Sequence, residues 1–307
     1  MGTSVKLLFS LCALVAWVSA SDAMSPTWTR ARLDNGTGIP VGSLDIGVNL
    51  SKSERLVNGN RSQSIREFPY LVGIFKKQKG PDFFICTGSI VHERVVLTAA
   101  HCLSRLVADA AYLVCYGTDD LSDPTHRKCT RVVGRRVHKS FVAGEVDGPF
   151  DVALLKTQDP MRSGRTEIVT VDFTTRSSRG KRTGLMAGFG VKPNGWDGRL
   201  RYLKAKHKPM QQCSVFPDAK YFQCVRSRGT NGLGGTCFGD SGSPLIEGPK
   251  EKPEKHRVVG VLSWAFVGPF DVDCSELASG YSRLSIPSHK NFLKRSMREF
   301  GAKFKTV

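Results

Sequence analysis

The chain has 307 residues, 40% hydrophobic and 23% charged, and carries a formal net charge of +18. That balance reads as a globular chain with ample length for a sizeable core, in one large domain or two small ones, and argues against a disordered one. Nine cysteines point to an oxidising compartment more than to metal or thiol chemistry.

Lys6 precedes an apolar run, Leu7 to Val18, that ends in Val18-Ser19-Ala20. This is the pattern of a secretory signal peptide over residues 1–20, cleaved after Ala20. The run is shorter than the roughly 20 residues a helix needs to span a bilayer, and no later stretch is long enough. The mature protein is therefore expected to be secreted, extracellular and soluble. Residues 21–55 are rich in Gly, Ser, Thr, Asp and Asn, lack sustained periodicity and contain no cysteine, which predicts a flexible propeptide. Once cut, nothing covalent would hold it. Sequons begin at Asn35, Asn49 and Asn60, each a candidate glycosylation site. Of the +18, Lys6 alone lies in residues 1–20 and residues 21–55 are neutral, which leaves +17 for residues 56–307.

Glu54-Arg55-Leu56-Val57-Asn58-Gly59 places a basic residue before an apolar one at the head of that domain. Beyond it, short β-prone runs separated by turn residues recur: Tyr70 to Phe75, Phe83 to Val91, Val95 to Thr98, Tyr112 to Tyr116, Val132 to Val137 and Val152 to Leu155. The pattern predicts an all-β barrel or sandwich. Leu97-Thr98-Ala99-Ala100-His101-Cys102 offers a general base, and Asp151 heads the apolar run Val152 to Leu155. Gly184 to Gly190 carries three glycines in seven residues. Cys237-Phe238-Gly239-Asp240-Ser241-Gly242-Ser243-Pro244-Leu245 packs a hydroxyl, an acid and turn-forming positions together. A serine hydroxyl is a poor nucleophile at neutral pH and needs a histidine to take its proton and a carboxylate to orient that histidine. Ser241, His101 and Asp151 meet that requirement. The remaining histidines, His92, His126, His138, His207, His256 and His289, lack such context and are read as solvated or structural. Ser288 to Phe300 reads as a helix capped by Ser288, with Leu293, Met297 and Phe300 inward on the second half of the domain and His289, Lys290, Lys294, Arg295 and Arg298 exposed.

The order His, Asp, Ser resembles that of the trypsin/chymotrypsin-like serine peptidase family. The resemblance runs from Arg55 to the C-terminal helix. It implies two six-stranded antiparallel β-barrels with a C-terminal α-helix, His101 and Asp151 coming from the first barrel and Ser241 from the second. It also implies a secreted serine endopeptidase, a hydrolase that needs no cofactor or metal. A trypsin-like protease would cut after Arg55, and the freed amine of Leu56 would pair with buried Asp240. Backbone N–H groups of Gly239 and Ser241 would form the oxyanion hole. Leu56 stands where most members have Ile, Asn58 and Ser243 where most have Gly, and Phe189 where most have Trp.

Eight cysteines remain after Cys12 leaves with the signal peptide, and arithmetic allows 105 pairings. The resemblance implies Cys86–Cys102, Cys213–Cys224 and Cys237–Cys274, which leaves Cys115–Cys129. It also places Gly235 at the base of the specificity pocket, with Ala265 and Ser279 on its walls, so cleavage after medium or small apolar residues is expected. Asp271 and Asp273, in a long loop before Cys274, are an alternative route to basic specificity. Two rivals stand beside the enzyme: an inactive homologue acting as a binding module, and a polyanion-binding protein with incidental activity. The second draws on basic runs at Arg127 to Lys139, Arg176 to Arg182, Arg199 to Lys208 and His289 to Lys305, which suit acidic glycans or other polyanions.

Overall fold

The computed structural model describes residues 29–31, 39–40, 59–103, 108–143, 148–174, 183–191, 195–208, 219–227, 234–267 and 278–307. In chain order the leader contributes β1 (Thr29–Ala31) and β2 (Ile39–Pro40), followed by β3 (Asn60–Arg61). The first half of the domain holds β4 (Leu71–Lys76), β5 (Phe83–His92), β6 (Val95–Thr98), β7 (Tyr112–Tyr116), β8 (Lys128–Val137) and β9 (Ala153–Thr157). After β10 (Thr170–Val171), the second half holds β11 (Thr183–Gly188), β12 (Arg201–Lys208), β13 (Phe222–Ser227), β14 (Pro244–Glu247), β15 (Arg257–Val267) and β16 (Ala278–Arg283). Helix α1 (Pro287–Glu299) follows.

Each half closes on itself. The first runs β5-β4-β7-β8-β9-β6 and returns to β5, while the second runs β15-β14-β11-β12-β13-β16 and returns to β15. These are two closed six-stranded antiparallel barrels, and closure removes the unpaired edges that an open sheet would present. The period-2 pattern is plain on β12, where Arg201, Leu203 and Ala205 are buried while Lys204 and Lys206 are exposed. One of the basic runs is thus partly the solvent face of a strand. Arg201, which points inward, is paired bidentately with Asp197.

Two short pieces of residues 21–55 form strands where the sequence showed no periodicity. β1 pairs antiparallel with the end of β15, Ala31 opposite Ala265, and β2 pairs antiparallel with the start of β5, Ile39 opposite Phe84. Closure leaves backbone groups free only where a strand runs past its neighbours, and such an end can accept an added strand even where the sequence shows no periodicity, because main-chain hydrogen bonds supply the pairing.

The helix starts one residue earlier than its sequence suggested. Ile286 is the N-cap and Pro287 occupies the first turn, a position where its fixed φ and missing N–H cost nothing. Gly301, at φ 70°, follows the end and supplies the left-handed residue that commonly terminates a helix. Two further expectations are corrected. His289 is fully buried, not exposed, and Phe292, Leu293 and Met297 join a core cluster shared by both halves, with α1 packed against β9, so α1 crosses back from the second barrel to the first. Lys156 Nζ–H accordingly donates to the Phe300 carbonyl at 3.2 Å, and Arg136 pairs with Glu299 at 2.6 Å.

The barrels are joined through buried polar contacts as well as apolar ones. Tyr70 O–H donates to Nδ1 of His256 at 2.9 Å, and His256 donates through Nε2–H to the Pro249 carbonyl. Burial pushes the Tyr70 hydroxyl well above its ordinary range and the His256 imidazole below its own, so both stay neutral at physiological pH. His256 is therefore structural. Disulfide Cys86–Cys102 ties β5 to the turn carrying His101, and Cys115–Cys129 links residues directly opposite each other on β7 and β8. Cys224 and Cys237 are each disulfide-bonded, while their expected partners, Cys213 and Cys274, lie outside the described residues. Of the sequons, Asn60 is exposed on β3, and Asn35 and Asn49 lie outside the described residues.

Candidate active site

β6 ends at Thr98 and delivers His101 on a short 3₁₀ turn, Ala100–Cys102. β9 begins at Ala153, two residues after Asp151. β6 and β9 are antiparallel neighbours with Thr98 opposite Ala153, so the two ends fall side by side. His101 Nδ1–H donates to Asp151 Oδ2 at 2.6 Å, and the His101 backbone N–H donates to Oδ1 at 2.9 Å. Ser263, on β15 of the second barrel, donates its hydroxyl to Oδ2 at 2.6 Å. The side chains of His101 and Asp151 are 2% and 0% exposed. A carboxylate without water must be met by such donors, since an unpaired buried charge is heavily penalised.

Ser241 lies in the turn before β14. Its carbonyl accepts from the Thr87 N–H of β5 at 2.9 Å, and the next N–H, of Gly242, donates to Leu262 O at 3.0 Å. Gly242 sits at φ 80°, and a Cβ there would strike the Thr98 hydroxyl and the Thr87 carbonyl. That close approach seats the Ser241 turn against the strand leading to His101. Ser241 Oγ is buried and makes no hydrogen bond among the described residues. In an uncomplexed site, hydrogen bonds used in catalysis are commonly long and tighten on binding.

Gly239 has φ 86°, and a Cβ would collide with the Phe84 ring. Only glycine suits both the left-handed backbone and the contact. Its carbonyl accepts from Thr87 Oγ1–H at 2.9 Å, while its own N–H and that of Ser241 donate to no acceptor among the described residues. Ser243 is accommodated without disturbance: it is buried, its N–H donates to Asp240 O at 2.9 Å, and its carbonyl accepts from Leu262 N–H at 2.8 Å.

Asp240 is 1% exposed. It accepts from Gly190 N–H at 2.9 Å and from Cys237 N–H at 3.0 Å, and among the described residues no cation forms an ion pair with it. Burial pushes its carboxyl up to about 6, against the opposing pull of those two donors and of Arg201 farther off. A Cβ on Gly188 or Gly190 would overlap the carboxylate, which explains why the Gly184 to Gly190 stretch ends as it does. Phe189, fully buried, donates its N–H to Thr87 Oγ1 at 3.3 Å. Arg55 and Leu56 lie outside the described residues.

Gly235 is buried beside Thr236, whose hydroxyl shares a 2.8 Å hydrogen bond with Ser279 Oγ. Ser279 and Ala265 are cross-strand partners on β16 and β15, both fully buried. Asp271 and Asp273 lie outside the described residues. Cys86 and Cys102 approach His101 closely enough to suggest metal ligands, but their sulfurs are bonded to each other and are not thiolates.

Sequence reasoning missed Ser263, Thr87, Thr98 and Thr236. Each is a buried hydroxyl inside or beside an apolar strand, and the only signal was a polar residue at an inward position. The partners of Ser263, Thr87 and Thr236 lie 112, 152 and 43 residues away and could not be named, whereas Thr98 bonds the Thr87 carbonyl of the neighbouring strand, 11 residues away.

Comparison with known proteins places the chain in recognisable company. The trypsin family profile matches residues 57–271. Lectizyme of Glossina austeni is 28% identical over 224 residues, covering 69% of this chain and 77% of that protein. Hypodermin-A of Hypoderma lineatum is 27% identical over 250 residues, covering 78% and 84%. Among solved structures, human heparin binding protein superposes with a TM-score of 0.61 at 19% identity, over 80% of this chain and 98% of that one. At that identity the last likeness concerns the fold alone.

The buried Asp240 has a measurable consequence. Its carboxyl binds a proton more tightly in the folded chain than in the unfolded one, where an aspartate titrates near 3.9. Between about pH 4 and pH 6 the folded state therefore holds more protons, so stability falls as pH rises through that window. With the folded carboxyl near 6, the loss in the uncut chain is on the order of 3 kcal/mol. Urea unfolding of the uncut chain and of Asp240→Asn at pH 4 and pH 7 checks this. The wild type should lose stability relative to the variant, and identical pH dependence in the two would contradict it.

Proposed function

The chain belongs to the trypsin family, and on that premise we propose that it is a secreted serine endopeptidase made as a zymogen. The observation that carries the reading is the buried His101–Asp151 pair at 2.6 Å, with the Ser241 turn docked on the same strand end. In this mechanism His101 takes the Ser241 proton as the oxygen attacks a peptide carbonyl, then returns it to the leaving amine. Asp151 fixes the tautomer and stabilises the imidazolium. The N–H groups of Gly239 and Ser241, which meet no acceptor among the described residues, receive the oxyanion. Such donors are each worth about 3 to 4 kcal/mol.

Asp240 supports the zymogen reading. A buried carboxylate with backbone donors and, among the described residues, no ion-pair partner suits one incoming positive charge, and the α-ammonium of Leu56, freed by a cut after Arg55, fits it. The leader supports it too, since β1 already occupies the Ala265–Val267 edge, where an extended peptide would add as a strand. Replacing Ser241 by Ala should lower turnover by roughly a millionfold without loss of folding, and replacing Arg55 by Gln should leave a chain that trypsin cannot switch on. Full turnover of the first variant, or of the uncut second one, sinks the corresponding half of the reading.

The pocket argues for small or medium apolar residues before the cleaved bond. A cationic side chain reaching Gly235 would lose its hydration and gain no carboxylate, while Ala265 and Ser279 narrow the slot against large rings. On matched peptides ending in Leu, Val, Ala, Phe or Arg, kcat/KM should be highest for Leu, Val or Ala. A maximum for Arg would hand specificity to Asp271 or Asp273.

Acidic glycans form a second proposal, favoured by one surface observation. Lys294, Arg295 and Arg298 are exposed on α1, with Lys303 and Lys305 exposed just beyond it. Immobilised heparin should retain the protein until salt screens the contact, and Lys294→Glu with Arg298→Glu should elute earlier. Unchanged elution of that double variant would remove the surface from consideration.

A further inference from the structure

Among the described residues, Phe150 is the only non-glycine with positive φ, at 72°. A bulky residue rarely adopts this left-handed backbone, and such outliers persist only where surrounding structure enforces them. Phe150 directly precedes Asp151. Its carbonyl accepts from Val152 N–H at 2.8 Å, closing a three-residue turn with Asp151 at its centre.

The enforcement comes from rings. His138, just past β8, stacks on Phe150 at 4.7 Å between centroids with planes 16° apart. Tyr221, just before β13, packs tilted on the same ring at 4.8 Å, and His289 of α1 meets it edge-on at 5.9 Å. Phe292 backs His138 at 4.9 Å. The backbone of His138 also donates to Val152 O at 3.3 Å. The cluster thus grips the residues on both sides of Asp151, drawing on both barrels and the helix. Lys139 and Arg295 act electrostatically on His138, and Lys220 lies 5.1 Å from the Tyr221 ring. Both imidazoles are held below their ordinary range, chiefly by burial, so the cage is uncharged at neutral pH.

We infer that Phe150 is a positioning residue: the cage of His138, Tyr221, His289 and Phe292 locks it in the left-handed conformation that aims Asp151 at His101. The inference rests on the proposed triad but concerns the geometry of the His101–Asp151 hydrogen bond, which is observable without activity. Phe150→Gly keeps the backbone conformation available and removes only the ring. It should lower kcat roughly ten- to a hundredfold, the scale of a misplaced group near the chemistry, with KM within about twofold. The acid limb of the kcat/KM profile should move to lower pH, because a misaligned carboxylate stabilises the imidazolium less. The low-field proton resonance of His101 Nδ1–H should shift upfield or broaden in the uncut chain. Phe150→Tyr, which keeps the ring, should restore all three.

Phe292→Leu touches none of His101, Asp151 or Ser241 and provides the check should Phe150→Gly fail to fold. It should shift the resonance and the acid limb in the same direction, by less. Wild-type kcat, resonance and acid limb in folded Phe150→Gly, or in Phe292→Leu, whatever the loss in Tm, would overturn the positioning role. Retained turnover in Ser241→Ala would instead overturn the enzymatic reading and leave the resonance test standing.

Discussion

Everything at the junction of the two barrels is arranged around one desolvated carboxylate. Asp151 is fully buried and accepts from His101 twice and from Ser263 once. The first two donors belong to the first barrel and the third to the second, so the hydrogen bonding of this carboxylate spans the docked halves. Hydrogen bonds to a buried carboxylate contribute less to net stability than their short distances suggest, because desolvation of the charge offsets much of the attraction. Their value is specificity of arrangement. An approach of the barrels that missed Ser263 would leave part of the charge without a donor, and that cost selects the observed docking over near alternatives.

Asp240 shows the opposite treatment of the same chemical group. Among the described residues it receives two backbone donors and no ion-pair partner, and burial raises its carboxyl to about 6. One acid is compensated by the fold as it stands, while the other is left as a local energetic deficit that a single incoming cation would relieve. The glycines around it explain why the deficit is not relaxed by rearrangement. Gly188 and Gly190 line the carboxylate so closely that any side chain would overlap it, and the Gly239 and Gly242 turns on either side of Ser241 occupy left-handed backbone that most residues avoid. The space is shaped by missing side chains.

Those features differ in how far the sequence revealed them. The strand runs of the first barrel, the base, acid and serine segments and the closing helix were legible, because alternation, turn residues and short motifs are local signals. The resemblance supplied the two-barrel closure and the role expected of Asp240, which no periodicity contains. Partners separated by many residues stayed hidden: Ser263 is 112 positions from Asp151, and Tyr70 is 186 from His256. His289 was misassigned for a related reason. Helical spacing placed it beside basic residues on a solvent face, but α1 crosses between barrels and so has buried positions on more of its circumference than one apolar stripe would give.

That crossing links the helix to the site. A helix resting on one barrel could be displaced without consequence for Asp151, whereas α1 brings His289 and Phe292 into the ring cluster around Phe150 while Phe292, Leu293 and Met297 join a core cluster shared by both barrels. Apolar burial holds the helix, the helix holds the rings, and the rings hold a backbone conformation that the residue would not adopt alone. Packing that looks remote from the chemistry is then coupled to it through rigid contacts, because a close-packed interior cannot yield at one point without shifting its neighbours. Much of the precision at Asp151 is supplied by residues that carry no catalytic chemistry.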